Sequence, residues 1–239
     1  MTEYSKIETL YERDEMTHRL KPELILKNRV YGIVNPWVWT EKIDGTNIRV
    51  IWRRWVAQCG HSVGSRNDAF CSQCGSAVGD LSDKGNLSFG GKTDNAQIHA
   101  DLVKWLYAHI TPASLAAAFP EDVGEAVVYG EGYGPGIQKG GGLYADEKKL
   151  IVFDVKVGDW WLSGENMRDV TRKLGLGAVP LLGEMTLADA TEKVRAGFPS
   201  LLNGGKVQAE GMVGRPCEAL FDKKGSRLIV KLKTKDFPV

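Results

Sequence analysis

The stretch EKIDGTNIRVIW, residues 41–52, decides the fold. β-forming residues stand on both sides of the turn residues Asp44-Gly45, with WVWTEK before them and NIRVIW after them. This pattern predicts a hairpin or a strand-loop-strand. The same stretch places an amine, a carboxylate and a guanidinium around one turn, at Lys42, Asp44 and Arg49. Chemistry at an α-phosphate needs a nucleophilic nitrogen, cations for developing negative charge, and a carboxylate.

Lys42 by itself also fits a plain hairpin turn with a solvated lysine. A free lysine has a pKa of about 10.4 and is a poor nucleophile, so it must be desolvated or set beside other cations or a metal. Lys231 and Lys233, in LIVKLKTK near the end of the chain, supply such cations. At a spacing of two on a strand, both ammonium groups leave the same face. A solvated edge strand would show the same alternation.

The rest of the chain mixes strands with separate helices and lacks a regular βαβ rhythm, which predicts an α+β fold of mainly antiparallel sheets. We expect one domain over residues 1–239. Strand patterning is present at residues 24–34, 125–134, 148–162, 207–216 and 226–237. Helical spacing predicts helices over residues 97–118, with Asp94 or Asn95 as the cap, over 166–174 and over 185–198.

Composition excludes little. The chain has 239 residues, 43% of them hydrophobic, and a net charge of +1 from 31 basic and 30 acidic residues. Any contact with nucleic acid must therefore come from a local basic face rather than from a global field. Neither an apolar run long enough to span a bilayer nor a signal peptide is visible. We expect a cytoplasmic monomer that contacts no membrane.

Residues 53–81 interrupt the strand pattern and hold three of the four cysteines. Within them, VAQCGHSVGSRNDAFCSQCGSAV resembles a zinc ribbon, whose usual form is two CxxCG knuckles. The second knuckle, Cys71 to Gly75, is intact, but Val56 replaces the leading cysteine of the first, which leaves Cys59. His61 is the nearest candidate for the missing fourth ligand beside Cys59, Cys71 and Cys74, since structural zinc accepts either donor.

The alternative for this insertion is a relic ribbon that has lost its metal. If zinc is bound, its role is structural, because four protein ligands leave no open position for catalysis. Arg53, Arg54 and Arg66 lie nearby in the sequence and would either contact nucleic acid or merely solvate the insertion.

KIDGTNIR resembles the nucleotidyl-acceptor motif of the covalent nucleotidyltransferases, which comprise ATP- and NAD-dependent DNA ligases, RNA ligases and mRNA capping enzymes. With FGGKTDNAQI after it, the context is most similar to the phage nick-sealing (T4 RNA ligase 2-like) RNA ligases. The resemblance runs from Glu41 to Lys233. It implies a covalent lysyl-AMP at Lys42, ATP as the AMP donor, Mg²⁺ or Mn²⁺, and a nucleic acid with 5′-phosphate and 3′-hydroxyl ends, with RNA favoured.

The same resemblance assigns roles around the lysine. Glu41 would read the adenine amino group, and its neighbour Ile43 would belong to the same nucleotide site. Asn47 and Arg49 would serve the phosphate and ribose side. Lys92 stands where the family usually has arginine, so this sequence departs conservatively and loses a bidentate fork at that contact.

Further along the chain, the resemblance makes Glu131 a ligand of ribose or of metal-bound water. Phe153 would stack on adenine, although a core position on its strand is the alternative. Glu210 would organise the metal, and Lys231 and Lys233 would clamp the α-phosphate. As a strand, residues 150–157 are expected to alternate, with Phe153 on the side of Ile151 and Val155.

The implied fold is the nucleotidyltransferase (ATP-grasp-like) fold without a C-terminal OB domain, since only Thr234 to Val239 follow Lys233. That shortage favours a minimal RNA ligase over a capping enzyme. A minimal DNA ligase or a mixed RNA/DNA ligase is the alternative among enzymes. The alternative from another class is a non-catalytic nucleic-acid-binding protein that keeps the fold.

Overall fold

The computed structural model describes residues 3–55, 59–61, 63, 68, 70–77, 86–223 and 225–237. The chain divides into two compact units. Unit 1 consists of Met1–Glu3 and Gly45–Ala178, and unit 2 of Tyr4–Asp44 and Val179–Val239. Each unit is built on its own mainly antiparallel sheet, so the predicted α+β fold is confirmed. The single domain over residues 1–239 stays a prediction.

The regular elements follow one another along the chain without a βαβ rhythm. The strands are β1 (Glu8–Thr9), β2 (Trp37–Lys42), β3 (Thr46–Arg53), β4 (Asn86–Gly90), β5 (Glu125–Tyr133), β6 (Lys149–Val157), β7 (Trp160–Trp161), β8 (Gly177–Ala178), β9 (Leu181–Met185), β10 (Gly211–Pro216) and β11 (Val230–Lys233). The α-helices are α1 (Ala100–His109), α2 (Pro112–Ala118), α3 (Gly164–Lys173) and α4 (Leu187–Ala196). Short 3-10 helices span Arg29–Ile33, Gly141–Leu143 and Thr234–Asp236.

The sheet of unit 2 has the strand order β1-β11-β10-β2-β9, and only the β1/β11 pair is parallel. Along β2, buried residues alternate with more exposed ones. Trp37, Trp39 and Glu41 are buried, so Lys42 belongs to the opposite face. Helix α4 contributes to the core of this unit. The core includes Leu10, Trp37, Trp39, Ala190, Val194, Met212, Val230 and Leu232.

The sheet of unit 1 has the order β4-β3-β5-β6-β7, with β8 beside β6. One face of this sheet packs against α1, α2 and α3, because β3 and β5 turn alternate apolar residues toward those helices. This core includes Ile48, Val50, Trp52, Leu102, Leu106, Leu115, Val128, Val152, Val155 and Met167. Alternation therefore leaves Asn47, Arg49 and Glu131 on the face away from the helices.

The Asp44-Gly45 turn is confirmed as a strand-loop-strand, not a hairpin, because β2 and β3 pair in different sheets. The strand expected at residues 24–34 was wrong. Its second half is the 3-10 helix Arg29–Ile33, capped by the Asn28 side chain, which accepts a hydrogen bond from Val30 N. Such local bonding by asparagine competes with strand pairing.

The helix expected over residues 97–118 is two helices, because Pro112 lacks a backbone N–H and disfavours helical geometry in the residue before it. Thr111 is accordingly extended, and it forms a capping box with Ser114 at the start of α2. The cap of α1 is His99, not Asp94 or Asn95. The helices expected at 166–174 and 185–198 are confirmed as α3 and α4 with shifted ends. Within the part of the chain that the structure describes, no helix is long and apolar enough to cross a membrane.

Candidate active site

In unit 2, strand pairing brings three of the predicted residues together. Gly211 in β10 pairs with Lys42 on one side and with Lys233 on the other. Glu210 precedes that glycine, and its carboxylate lies between the two ammonium groups. Lys42 Nζ donates to Glu210 Oε2 at 2.6 Å, and Lys233 Nζ donates to Glu210 Oε1 at 2.7 Å. Both lysine side chains are about one-fifth exposed, at 21%.

Lys231 joins the same charged group. It pairs with Val213 two positions along β11 from Lys233, so both lysines lie on one face, as their spacing predicts. Burial, followed by the charges of Lys233 and Lys42, lowers the pKa of Lys231 to about 8. Burial alone would raise the pKa of Glu210, but Lys42 and Lys233 outweigh it and hold that pKa below its ordinary value. Lys42 and Lys233 share the Glu210 carboxylate, and Lys231 is a third cation whose charge interacts with theirs and with that of Glu8. The lysines therefore make an excess of positive charge that suits an anion.

Gly211 is the residue that allows the strands to meet so closely. A Cβ at this position would lie 2.0 Å from Leu232 O and 2.8 Å from Lys233 Cα. Backbone atoms cannot give way as a flexible side chain would, so only glycine fits here. The glycine after Glu210 therefore sets the spacing between Lys42 and Lys233.

Glu41 lies on the other face of β2 and is 1% exposed. Its Oε1 accepts from the Ser200 hydroxyl, and its Oε2 accepts from Leu201 N at 2.8 Å. A carboxylate offers about four lone-pair sites, so each oxygen keeps capacity for a further donor. The adenine-reading role of Glu41 stays a prediction. Ile43 is also buried, and its carbonyl oxygen lies 3.4 Å from Lys42 Nζ.

In unit 1, Asn47 pairs with Glu131 across β3 and β5, and Arg49 follows two positions along the same face. Arg49 is 1% exposed; its Nε donates to Gly91 O at 2.7 Å and its Nη2 to Asp94 Oδ1 at 2.8 Å. Arg49 Nη1 and Asn47 Oδ1 are both buried and have no hydrogen-bond partner among the residues that the structure describes. Buried polar atoms are almost always bonded, so these two indicate a place for a ligand.

Two glycines fit closely around these side chains. A Cβ on Gly45, the glycine of the Lys42 motif, would lie 2.3 Å from Gly132 O and 2.8 Å from Glu131 Cγ. A Cβ on Gly90 would lie 2.9 Å from Arg49 Nη2. Lys92, two residues later, is exposed. The turn glycine thus packs against Glu131, a contact that the sequence pattern does not reveal.

Phe153 lies at a β-bulge. The pairing of β5 with β6 shifts between Tyr129 and Gly130, whose partners are Asp154 and Val152. The expected alternation was therefore wrong: Val152 and Val155 both pack in the helix-facing core, and Phe153 between them is only half-buried. A bulge re-aims the side chain of the extra residue. Phe153 is half-buried, and both its adenine-stacking role and the core alternative stay predictions.

The four predicted zinc ligands are brought together. The ligand atoms of Cys59, His61, Cys71 and Cys74 all lie within 4.8 Å of one another. His61 Nδ1 is 3.5 Å from Cys59 Sγ and 3.6 Å from Cys71 Sγ. Val56, which replaces the first cysteine of the ribbon pattern, lies outside the described residues.

The arginines near the insertion are mostly engaged by the protein itself. Arg53 Nε pairs with Glu125 at 2.9 Å. Arg54 is buried, lies over the Trp52 ring and donates to four backbone carbonyls. These carbonyls belong to Ala116, Phe119, Pro120 and Val123. Arg54 therefore fixes the base of the insertion; it neither solvates the insertion nor reaches outward. Arg66 lies outside the described residues.

Sequence reasoning missed two residues of these sites. Asp94 was expected to cap a helix, and instead it pairs with Arg49. Ser200, which donates to Glu41, stands 159 positions away from it in the chain, so no local pattern signals the contact. Neither residue could be found without knowledge of the tertiary structure.

Comparison with solved structures defines the class of fold. The Naegleria gruberi RNA ligase with PPi matches with a TM-score of 0.54 and 15% identity over 98% of this chain and 62% of that chain. A mutant of that ligase with AMP and Mn gives a TM-score of 0.56 and 15% identity over 97% of this chain and 60% of that chain. Another mutant of that ligase, with ATP and Mn, gives a TM-score of 0.53 and 16% identity over 97% of this chain and 60% of that chain. This chain thus has the α+β fold of RNA ligases, and it spans 60–62% of the length of these structures.

A comparison with family models identifies the family. The model of the RNA ligase family matches residues 35–233, which include every candidate nucleotide-site residue from Glu41 to Lys233. The chain belongs to the RNA ligase family. No curated protein sequence matches it.

Proposed function

We propose that this protein is an ATP-dependent RNA ligase of the phage nick-sealing (T4 RNA ligase 2-like) group. It joins 5′-phosphate and 3′-hydroxyl ends through a lysyl-AMP on Lys42. The observation that carries the proposal is the group in unit 2, in which Lys42 and Lys233 share the Glu210 carboxylate while Lys231 lies on the same face. A lysine nucleophile beside fixed cations is what attack on a phosphate requires.

The first step forms a bond between Lys42 Nζ and the α-phosphorus of ATP, and pyrophosphate leaves as the bond to its oxygen breaks. Lys42 must first lose its proton, which passes to solvent, since its side chain is 21% exposed. The arriving phosphates bring the negative charge that Lys231 and Lys233 are placed to receive, so Glu210 no longer has to balance both lysines.

A divalent cation fits this arrangement. Mg²⁺ is usually held by one or two carboxylates together with substrate phosphates rather than by an all-protein cage, and Glu210 is a carboxylate of that kind. Glu131 is the second carboxylate that we propose as an organiser of the metal or of ribose. When bound, Mg²⁺ or Mn²⁺ neutralises charge on the phosphates. The Naegleria ligase structures that carry Mn with ATP or AMP support this part of the proposal.

The resemblance also assigns nucleotide contacts to residues of unit 1, and the polar groups there suit those roles. Asn47 Oδ1 can accept from a ribose hydroxyl, and Arg49 Nη1 can donate to a ribose or phosphate oxygen. Each atom is now buried without a partner among the residues that the structure describes, which costs about 1–3 kcal/mol. Phe153, re-aimed by the bulge, would stack on adenine, a contact of about 1–3 kcal/mol. Lys92 would add a charge where the family usually has arginine.

Two further steps complete the reaction. AMP passes from Lys42 to the 5′-phosphate of one strand, and the amine is released. A 3′-hydroxyl then attacks that phosphate and displaces AMP, which forms the phosphodiester. RNA is the favoured substrate because the chain belongs to the RNA ligase family. The alternatives are joining of DNA or mixed strands and, from another class, a nucleic-acid-binding protein without activity.

Incubation with Mg²⁺ and ATP labelled at the α-phosphate tests the first step. The intact chain should acquire an acid-labile covalent label, and Lys42→Ala should acquire none. Lys104→Ala is the matched control, because Lys104 is an exposed lysine on α1 with a 79% exposed side chain, and it should label normally. Absence of label on the intact chain, or equal label on Lys42→Ala, would contradict the proposal and favour the binding protein.

Nicked duplexes then test the substrate. A 5′-phosphate next to a 3′-hydroxyl should be sealed when the strands are RNA, and a 3′-phosphate in place of the hydroxyl should stop the reaction after the AMP transfer. Deoxyribose on one or both sides of the nick separates RNA, mixed and DNA ligases. Equal sealing of all-DNA nicks would contradict the RNA preference without affecting lysyl-AMP formation.

A further inference from the structure

We propose that Cys59, His61, Cys71 and Cys74 form a structural zinc site in which His61 binds through Nδ1. The site goes beyond the ligase activity, and no step of that activity depends on it. These four residues are the group of metal-ligand type that the described part of the chain brings together. All four cysteines of the chain, including Cys217, are free thiols, so no disulfide competes for the sulfur atoms.

The distances agree with tetrahedral zinc. With Zn–S of about 2.3 Å and Zn–N of about 2.0–2.1 Å, an imidazole nitrogen lies about 3.5 Å from each coordinated sulfur. His61 Nδ1 lies 3.5 Å from Cys59 Sγ and 3.6 Å from Cys71 Sγ. The widest separation within the group is at most 4.8 Å. An ion at the centre would draw such a pair to about 3.5–3.8 Å.

The backbone has the same shape after two of the cysteines. Gly60 follows Cys59 with φ of 83°, and Gly75 follows Cys74 with φ of 72°. A Cβ on either glycine would meet no atom of the described residues within 4 Å, and the positive φ by itself explains glycine at these positions. Each glycine turns the chain back directly after a thiol. A two-part site with one such turn in each half is the arrangement that a pair of zinc knuckles requires.

The second knuckle is held by its own hydrogen bonds. Cys71 N donates to Ser76 O at 2.7 Å, Gly75 N donates to Cys71 O at 2.8 Å, and Phe70 bridges to Ala77. The backbone of residues 70–77 thus positions Cys71 and Cys74 on one tight turn. Metal ligands on such a turn move little when an ion binds, so little conformational freedom is lost and the affinity for the ion is higher.

The insertion has little apolar material of its own. Its described core cluster consists of Trp55, Val63 and Cys71. A segment of this size does not bury enough apolar surface to hold a fixed shape, and small modules of this kind usually depend on a metal or a disulfide. Its base is anchored, because Arg54 donates to four carbonyls and β3 pairs with β4. Zinc would fix the outer part, which these anchors do not reach.

Metal analysis of the full chain tests the site. After purification without chelator in the presence of zinc, the intact chain should hold about one zinc per chain. Cys74→Ser and His61→Ala should each hold far less. Cys217→Ser is the matched control, because Cys217 belongs to unit 2 and its Sγ lies 3.4 Å from Pro36 O. It should hold as much zinc as the intact chain.

His61→Cys tests the fourth ligand itself. Structural zinc accepts four thiolates as readily as three thiolates and an imidazole, so this variant should hold zinc while His61→Ala does not. Replacement of zinc by Co²⁺ should give the visible absorption of a tetrahedral thiolate site, and the absorption should change when His61 becomes a fourth thiolate.

Three results would overturn the site: an intact chain without zinc after reconstitution, equal zinc in Cys74→Ser and Cys217→Ser, or full zinc in His61→Ala. Measurement of the covalent AMP label on the same samples keeps the two proposals apart. A chain that takes the label but holds no zinc would contradict the zinc site alone. A chain that holds zinc but takes no label would contradict the ligase alone.

Discussion

The two sheets each carry predicted site residues on the face away from their core, but the two faces differ in how their polar groups are satisfied. In unit 2, Glu210 pairs with Lys42 and Lys233. In unit 1, Asn47 Oδ1 and Arg49 Nη1 are buried and have no partner among the described residues. On the first face Glu210 pairs with two of the three lysines, whereas on the second Asn47 Oδ1 and Arg49 Nη1 have lost water without gaining a partner among the described residues.

This difference predicts different responses to a ligand. An anion at the lysine face must compete with Glu210, so part of its binding free energy is used to rearrange existing ion pairs. A ligand hydroxyl or phosphate at the Arg49 face would form hydrogen bonds with Asn47 Oδ1 and Arg49 Nη1. These two atoms already lost their water when the chain folded, so ligand binding adds no further desolvation cost for them. Such preorganised groups give a larger net gain for each new contact.

The largest effect is expected from Glu210→Gln. If Glu210 organises the metal, loss of its charge should slow lysyl-AMP formation about 10²-fold, similar to the removal of one electrostatic stabiliser from an active site. Raised Mn²⁺ should recover part of the rate. The measurement is single-turnover labelling with ATP at several metal concentrations. A variant that labels as fast as the intact chain, or faster, would show that the Glu210 charge does not organise a metal for this step.

A smaller effect is expected from Arg49→Lys. Lysine keeps the charge, but its single amine cannot donate to Gly91 and Asp94 as the planar guanidinium of Arg49 does. The substitution also removes Nη1, the atom that we propose to contact the nucleotide. The ATP concentration for half-maximal labelling should rise about tenfold, which corresponds to about 1.4 kcal/mol. Asp94→Asn is the control, since it retains Arg49 and should raise that concentration less. Equal ATP dependence of the intact chain and Arg49→Lys would exclude Arg49 from the nucleotide site.

Part of this arrangement was readable from the sequence. A spacing of two placed Lys231 and Lys233 on one face, because the period of a strand does not depend on distant contacts. The turn at Asp44-Gly45 and the order of the motifs placed Lys42 at the end of a strand. These predictions needed only local geometry or the resemblance to a family.

The rest depended on contacts between residues far apart in the chain. The bulge at Phe153 arises from the register with Tyr129 and Gly130, so the strand pattern of residues 150–157 alone could not reveal it. Ser200 donates to Glu41 although the two residues belong to different segments of unit 2, 159 positions apart in the chain. The end of α1 before Pro112 is a different case, because it could have been predicted from the sequence. A proline inside a helical pattern is a local signal of a helix end, and the prediction of one helix over residues 97–118 gave more weight to the apolar spacing.

Two stability measurements sharpen the contrast between satisfied and unsatisfied groups. Glu41→Gln should lower the free energy of unfolding by about 1–3 kcal/mol, because Ser200 and Leu201 lose a charged acceptor in a buried position. Asn47→Leu should leave the free energy of unfolding unchanged or raise it slightly, since it removes a buried acceptor without a partner. The increase in Tm that ATP produces should be smaller in Asn47→Leu than in the intact chain. A clear loss of stability in Asn47→Leu without nucleotide would show that Asn47 is already satisfied.

The smallest effect concerns Lys231 and depends on pH. Because burial and the charges of Lys233 and Lys42 lower its pKa to about 8, the folded chain binds fewer protons than the unfolded chain between about pH 8 and 10.4. Charged Lys231 therefore destabilises the fold below pH 8, and this cost disappears as the pH rises through 8 toward 10.4. Lys231→Met should be more stable than the intact chain by about 1 kcal/mol at pH 7, a value reduced for partial exposure.

The stability difference between Lys231→Met and the intact chain should close by pH 10, as measured by denaturant unfolding at both pH values. Lys104→Met, at an exposed position, should show no such pH dependence relative to the intact chain. A difference that stays constant from pH 7 to pH 10 would mean that packing, and not the burial of the Lys231 charge and its repulsion by Lys233 and Lys42, sets the cost of Lys231. In that case the lysine face would not have the excess of positive charge that separates it from the Arg49 face.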